Sequence, residues 1–127
     1  MNTKNLNKWI VTLIIILAVN PNGICQQPKV KYTSFTVNAV KKKILIDWVT
    51  DNSSQANYFE IQRSVDGVNF KTIELVLGPD PQKTNCNCYE GFDKPSSKNQ
   101  KYYYRLKHVS VDGAEELSAT KMLAINN

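Results

Sequence analysis

The sequence predicts an all-β sandwich of seven strands in two antiparallel sheets, and three observations carry that prediction. Tyr58-Phe-Glu-Ile-Gln-Arg-Ser-Val-Asp-Gly-Val-Asn-Phe70 and Lys101-Tyr-Tyr-Tyr-Arg-Leu-Lys-His-Val-Ser-Val-Asp-Gly113 each alternate apolar and polar residues and run into Asp-Gly, the hairpin-turn dipeptide. Strand-like segments recur at regular spacing between loops rich in turn formers, and helical periodicity is absent after residue 25.

Taken in order, the first strand is Tyr32 to Val40, with Phe35, Val37 and Ala39 on one face. The second is Lys43 to Thr50, where Ile44, Ile46 and Trp48 point inward because the opposite register would bury the charge of Asp47. Residues 51–57 form a polar loop, and the third strand, Tyr58 to Ser64, sends Phe59 and Ile61 inward and Glu60 and Gln62 outward. Asp66-Gly67 turns the chain into Asn69 to Leu77, whose apolar residues Phe70, Ile73 and Val76 recur every three positions, so a bulge or an irregular edge strand is expected there. Two prolines exclude residues 78–85 from a central strand. Cys86 to Phe92 is a short fifth strand. Lys101 to Val109 is the sixth, with Tyr102, Tyr104 and Leu106 on one face and Tyr103, Arg105 and Lys107 on the other. Asp112-Gly113 leads into a last strand, Glu116 to Ile125.

Residues 1–25 stand apart. Lys4 and Lys8 precede a short apolar core, Trp9 to Val19, broken by Asn20, Pro21, Asn22 and Gly23, which is the layout of a signal peptide. A spanning helix needs ~20 apolar residues, so export is the expectation. Cleavage falls after Cys25, or alternatively near Ala18; Ile24 before Cys25 is not the small residue that a lipid-acceptor cysteine normally follows. Residues 26–31 are then a linker and 32–127 the sandwich, placed in the periplasm, on the cell surface or outside the cell. Loss of Lys4 and Lys8 lowers the 16 basic residues to 14 against 11 acids, a mature charge of +3. That mild charge, with no demonstrable face of interleaved basic and aromatic residues, argues against a nucleic-acid partner. The one dense run, Lys41, Lys42 and Lys43, sits in the first turn and reads as solvated lysines that discourage edge association.

Seven strands in about a hundred residues indicate an immunoglobulin-like sandwich. Ile46 and Tyr104 occupy the places of the antibody-type cysteines, and Trp48 is on the second strand rather than the third. This arrangement resembles the fibronectin type III family. More narrowly, Ile44-Leu-Ile-Asp-Trp-Val-Thr50, Phe59-Glu-Ile-Gln-Arg-Ser-Val-Asp-Gly67 and Tyr102-Tyr-Tyr-Arg-Leu-Lys107 with Asp112-Gly113 resemble the fibronectin-like modules of secreted Bacteroidetes proteins, over residues 32 to 125. The resemblance implies a tyrosine-corner hydrogen bond from Tyr102 to upstream backbone and leaves function open. Such modules commonly precede a sorting domain, which this sequence does not show after its last strand.

Three readings stand for Cys86 and Cys88: buried free thiols, a disulfide in a bent local ring or between chains, and a redox or metal site. His108, the one histidine, is expected at the surface. No catalytic set is recognisable, so no enzyme activity and no cofactor are expected; Asp47, Glu60, Asp66, Asp93 and Asp112 read as outward strand residues or turn formers. Asn52-Ser53-Ser54 matches a glycosylation acceptor pattern, although a polar loop accounts for it.

The expected function is a non-catalytic exported binding or structural module contacting a protein or polysaccharide. Its candidate face is Glu60, Gln62, Tyr103, Arg105 and Lys107, whose alternative role is a cross-strand ladder. The rival readings are an envelope component tethered by an uncleaved N-terminal segment, the one case in which a membrane is a partner, and chemistry at Cys86 and Cys88.

Overall fold

The computed structural model describes residues 30–51 and 56–126. The expected signal peptide over 1–25 with Cys25, residues 26–29 of the linker and the Asn52-Ser53-Ser54 pattern lie outside the described residues. The described chain is all β, in eight strands: β1 (Tyr32–Val40), β2 (Lys43–Thr50), β3 (Ala56–Ser64), β4 (Lys71–Val76), β5 (Asn87–Asp93), β6 (Gln100–Ser110), β7 (Glu115–Leu117) and β8 (Lys121–Ile125). One sheet has the order β1-β2-β5. The other runs β4-β3-β6, with β7 and β8 both pairing β6, and every pairing is antiparallel.

The inward faces of the two sheets meet as the alternation requires. Ile44, Ile46 and Trp48 of β2 oppose Phe59 and Ile61 of β3 and Tyr102, Tyr104 and Leu106 of β6, all buried. Trp48 stacks on Tyr89 with centroids 5.4 Å apart, and Phe59 sets its ring edge-on to both, at 5.3 and 4.9 Å. Each buried side chain of this size stabilises the fold by roughly 1.5–3 kcal/mol. The outward placement of Asp47 holds, and its carboxylate accepts a 2.7 Å hydrogen bond from the Thr36 hydroxyl on β1.

Several expectations need correction. The seven-strand count becomes eight because the expected strand Glu116 to Ile125 is broken: Lys107 pairs Leu117 but Tyr104 pairs Lys121, which leaves one extra residue between. Ser118 bridges the break by donating its backbone N–H to Leu106 O (2.9 Å) and accepting from Leu106 N–H with its hydroxyl (2.8 Å). The expected strand Asn69 to Leu77 shortens to Lys71–Val76 with Phe70 outside it. Its three-residue spacing is a bulge, since Ile61 pairs Glu74 while Gln62 pairs Thr72. Ala39 is exposed, and Gln62 is only 8% exposed although it lies on the outer face, because Arg105 and Thr72 cover it. His108 is buried beside Phe59, centroids 5.2 Å apart, rather than at the surface, because β6 continues past it to Ser110.

Neither Asp-Gly pair makes a two-residue turn. Six residues join β3 to β4 and four join β6 to β7, with Gly67 and Gly113 at φ +77° and +87°, where a side chain would be strained. Asp66 organises the longer loop: its carboxylate accepts from the N–H groups of Val68 (2.9 Å) and Asn69 (2.8 Å), the Ser64 hydroxyl (2.7 Å) and the Asn69 amide (2.7 Å). Hydrogen bonds from Asn69, Ser64 and Val68 hold the Asp66 carboxyl far below the usual carboxylate range.

Candidate functional site

The β3–β6 register places the expected face side by side. Glu60 lies opposite Lys107, Gln62 opposite Arg105 and Ser64 opposite Tyr103. These residues share a face because alternate positions of paired strands do so. Lys107 Nζ is 3.0 Å from Glu60 and 3.1 Å from Glu115 of β7, bridging three strands. Glu60 also accepts from the Thr72 hydroxyl (2.7 Å) and the Gln62 amide (3.2 Å). Arg105 Nε donates to Gln62 Oε1 at 2.8 Å while its guanidinium carbon lies 3.9 Å from the centroid of Phe70. Tyr103 covers Gly67, whose ideal Cβ would be 3.5 Å from the ring.

The electrostatics follow. Burial alone would raise the Glu60 carboxyl, but hydrogen bonds from Thr72, Lys107 and Gln62 and the charge of Lys107 outweigh it and hold it below its ordinary value. Hydrogen bonds to Glu60 and Glu115 raise Lys107 in turn. All five side chains are therefore brought together, and Glu60, Gln62, Arg105 and Lys107 are engaged in a ladder among themselves and with Thr72, Glu115 and Phe70.

A second polar cluster spans the sandwich. Arg63 of β3 donates to both carboxylate oxygens of Asp93 on β5 at 2.9 Å, and the hydroxyl of fully buried Tyr104 donates to Asp93 at 2.7 Å. Arg63 also lies over Tyr102, 5.6 Å from its centroid. Burial first, then the bond to Asp93, pushes the Tyr104 phenol upward, so it remains a donor at neutral pH. Burial would lower Arg63, but its hydrogen bonds and charge attraction to Asp93 leave it raised. The reading of Asp93 as a turn former is thus corrected to an inter-sheet clamp. The signal was in the sequence: Phe59, Ile61 and Arg63 share an inward series, and an inward arginine needs a carboxylate partner.

Tyr102 makes the expected corner bond, donating to Ser97 O at 3.0 Å. Cys86 and Cys88 form an intrachain disulfide with Cα atoms 5.2 Å apart, within bridging reach. Cys86 is exposed and lies just before β5, which corrects the free-thiol reading. His108 on β6 is not joined to that pair: among the described residues no group of three or more His, Cys, Asp and Glu side chains is placed to hold a metal. The free edge of β5 is blunted twice. Asp80 N–H donates to Cys88 O at 2.7 Å, and the Glu74 carboxylate of β4 accepts from Phe92 N–H at 3.0 Å.

This architecture, two antiparallel sheets with a buried second-strand tryptophan and a tyrosine corner, is fibronectin type III-like. Solved structures agree at the level of fold. A Fn3-like protein from Clostridium thermocellum superposes with a TM-score of 0.55 at 22% identity, over 76% of this chain and 92% of that one. A β-1,2-glucanase from Parabacteroides distasonis matches with a TM-score of 0.57 at 20% identity over 79% of this chain, and a pectate lyase from Pectobacterium carotovorum with 0.58 at 15% over 73%. The chain spans only 13% and 26% of the length of those two enzymes. No protein-family model matches the sequence, and no curated protein matches it.

Proposed function

We propose that this chain is a non-catalytic, exported, carbohydrate-associated binding module. The observation that carries the proposal is that the same sandwich forms a minor part of two polysaccharide-acting enzymes, the glucanase and the pectate lyase. The leader-like residues 1–25 support export, and the blunted β5 edge suits a unit that contacts partners through side chains rather than by adding a strand. The β3–β6 face is a poor docking surface in this reading, because a ligand would have to displace the bonds among Glu60, Gln62, Arg105 and Lys107 before forming its own.

The test is affinity electrophoresis of the full chain in gels containing neutral or acidic polysaccharides, alongside a Tyr103→Ala, Arg105→Ala variant. Retardation by at least one glycan, unchanged in the variant, supports the reading. Passage through every gel without retardation refutes carbohydrate association, and loss of binding in the variant moves the site to the β3–β6 face.

A further inference from the structure

Charge is unevenly distributed along the long axis of the sandwich. The register of β2 with β5, Ile44 against Asp93, brings the β1–β2 turn and the loop after β5 to the same end. Lys41, Lys42, Lys43, Lys94 and Lys98 are gathered there, all exposed, and none forms an ion pair among the described residues. Two carboxylates belong to this end: Asp93 is buried and occupied by Arg63 and Tyr104, and Asp66 of the β3–β4 loop is taken up by the N–H groups of Val68 and Asn69 and the Ser64 hydroxyl. At the other end the acids dominate: Asp51, Asp80, Asp112, Glu115 and Glu116 lie in or beside the loops that close it.

The lysine hairpin is flanked by two open clefts. One, about 510 Å³, is lined by the three lysines with Val40 and Phe92. The other, about 460 Å³, lies between the same lysines and Pro95, Ser97, Lys98 and Ile125. Among the described residues, no acidic side chain lines either cleft. Phe92 is 46% exposed, and the Lys43 ammonium lies 5.3 Å from its ring centroid. An apolar ring beside an ammonium matches a uronic acid residue, which presents a C–H face and a carboxylate on one ring. Cationic clefts on both sides of one hairpin match a polymer with a charge on every unit.

We propose that the β1–β2 hairpin end is the binding site for an acidic polysaccharide of the polyuronate class, with Lys42, Lys43 and Lys98 pairing carboxylates and Phe92 stacking on a sugar face. The inference rests on the carbohydrate-associated reading above and goes beyond it by naming the site and the ligand charge. A polyanion is favoured over a membrane surface because Val40 and Phe92 line cleft walls, whereas insertion needs an apolar surface that projects into the headgroup region.

The experiment measures binding of the full chain to polygalacturonate, to a neutral β-glucan and to phosphatidylglycerol vesicles, at low and at high sodium chloride. Lys42→Gln, Lys43→Gln, Lys98→Gln is compared with the matching triple arginine variant, with thermal melts to establish that both fold. Lys41 is left unchanged because its φ of 56° restricts replacement. Polygalacturonate binding that falls by about tenfold or more at high salt and in the glutamine variant, with arginine retaining it, is the expected result. Binding of the neutral glucan that persists in the glutamine variant overturns this site while sparing the carbohydrate reading. Capture by the vesicles without polygalacturonate overturns it in favour of a lipid surface, and absence of glycan binding altogether overturns both.

Discussion

Replacing Asp93 by Asn tests whether the clamp between the sheets is as consequential as its geometry implies. The aspartate serves three donor contacts, two from Arg63 at 2.9 Å and one from Tyr104 at 2.7 Å. Asparagine preserves the shape but offers one oxygen; placed where Tyr104 and one Arg63 contact converge it keeps both, so its NH₂ turns toward the guanidinium, which loses its second contact and the carboxylate charge. A hydrogen bond to a charged group contributes ~1.5–3 kcal/mol when one partner is removed. Arg63 is 32% exposed at its side chain, so water recovers part of its loss and its share is discounted accordingly. The expected net destabilisation is about 2 kcal/mol, which lowers Tm by roughly 8–16 °C for a domain of about a hundred residues. Urea denaturation followed by circular dichroism measures the change, and Arg63→Met with the double variant completes a cycle whose coupling should be about 1–2 kcal/mol. A loss under ~1 kcal/mol, or additive single effects, would refute the clamp.

Three further outcomes follow from the described contacts. Gly91→Ala should destabilise by about 1–3 kcal/mol, read as a lower urea midpoint, because the added Cβ would lie 2.3 Å from Ile61 Cδ1 and 2.6 Å from Glu74 Oε2. Because Glu60 titrates lower in the folded than in the unfolded chain, its contribution is present above the unfolded value of 4.5 and is lost as pH falls through its folded value. Glu60→Gln should therefore flatten the fall in stability as pH drops below 4.5 relative to the parent, and an unchanged slope would exclude Glu60 as its source. Reduction should raise the free-thiol count by two, from Cys86 and Cys88, while costing no more than ~2 kcal/mol of stability, because closing so short a loop constrains the unfolded chain little; unfolding on reduction would contradict this.

The strand positions and the core were legible because period-two alternation is a local property. Trp48, Phe59, Ile61, Tyr104 and Leu106 could each be assigned inward from their immediate neighbours, and the whole outward set Glu60, Gln62, Tyr103, Arg105 and Lys107 followed from the same alternation. Turn length was harder to read. Asp66 and Asp112 are turn residues, but the Asp-Gly dipeptide alone does not set how many residues the loop contains; around Asp66 that depends on carboxylate contacts reaching two and three residues onward.

The chain's own order of residues thus determined an all-β sandwich and its inward faces, since alternation and turn chemistry act over a few positions, while the tyrosine corner was implied by the family resemblance. What depended on distant segments meeting was decided only by the tertiary structure. The division of the last strand rests on Ser118 meeting Leu106, and the clamp on Asp93 meeting Arg63 across 30 residues. The lysine end is of the same kind: the hairpin lysines and Lys98 are separated by more than fifty residues, and it is the pairing of β2 with β5 that brings their charges together.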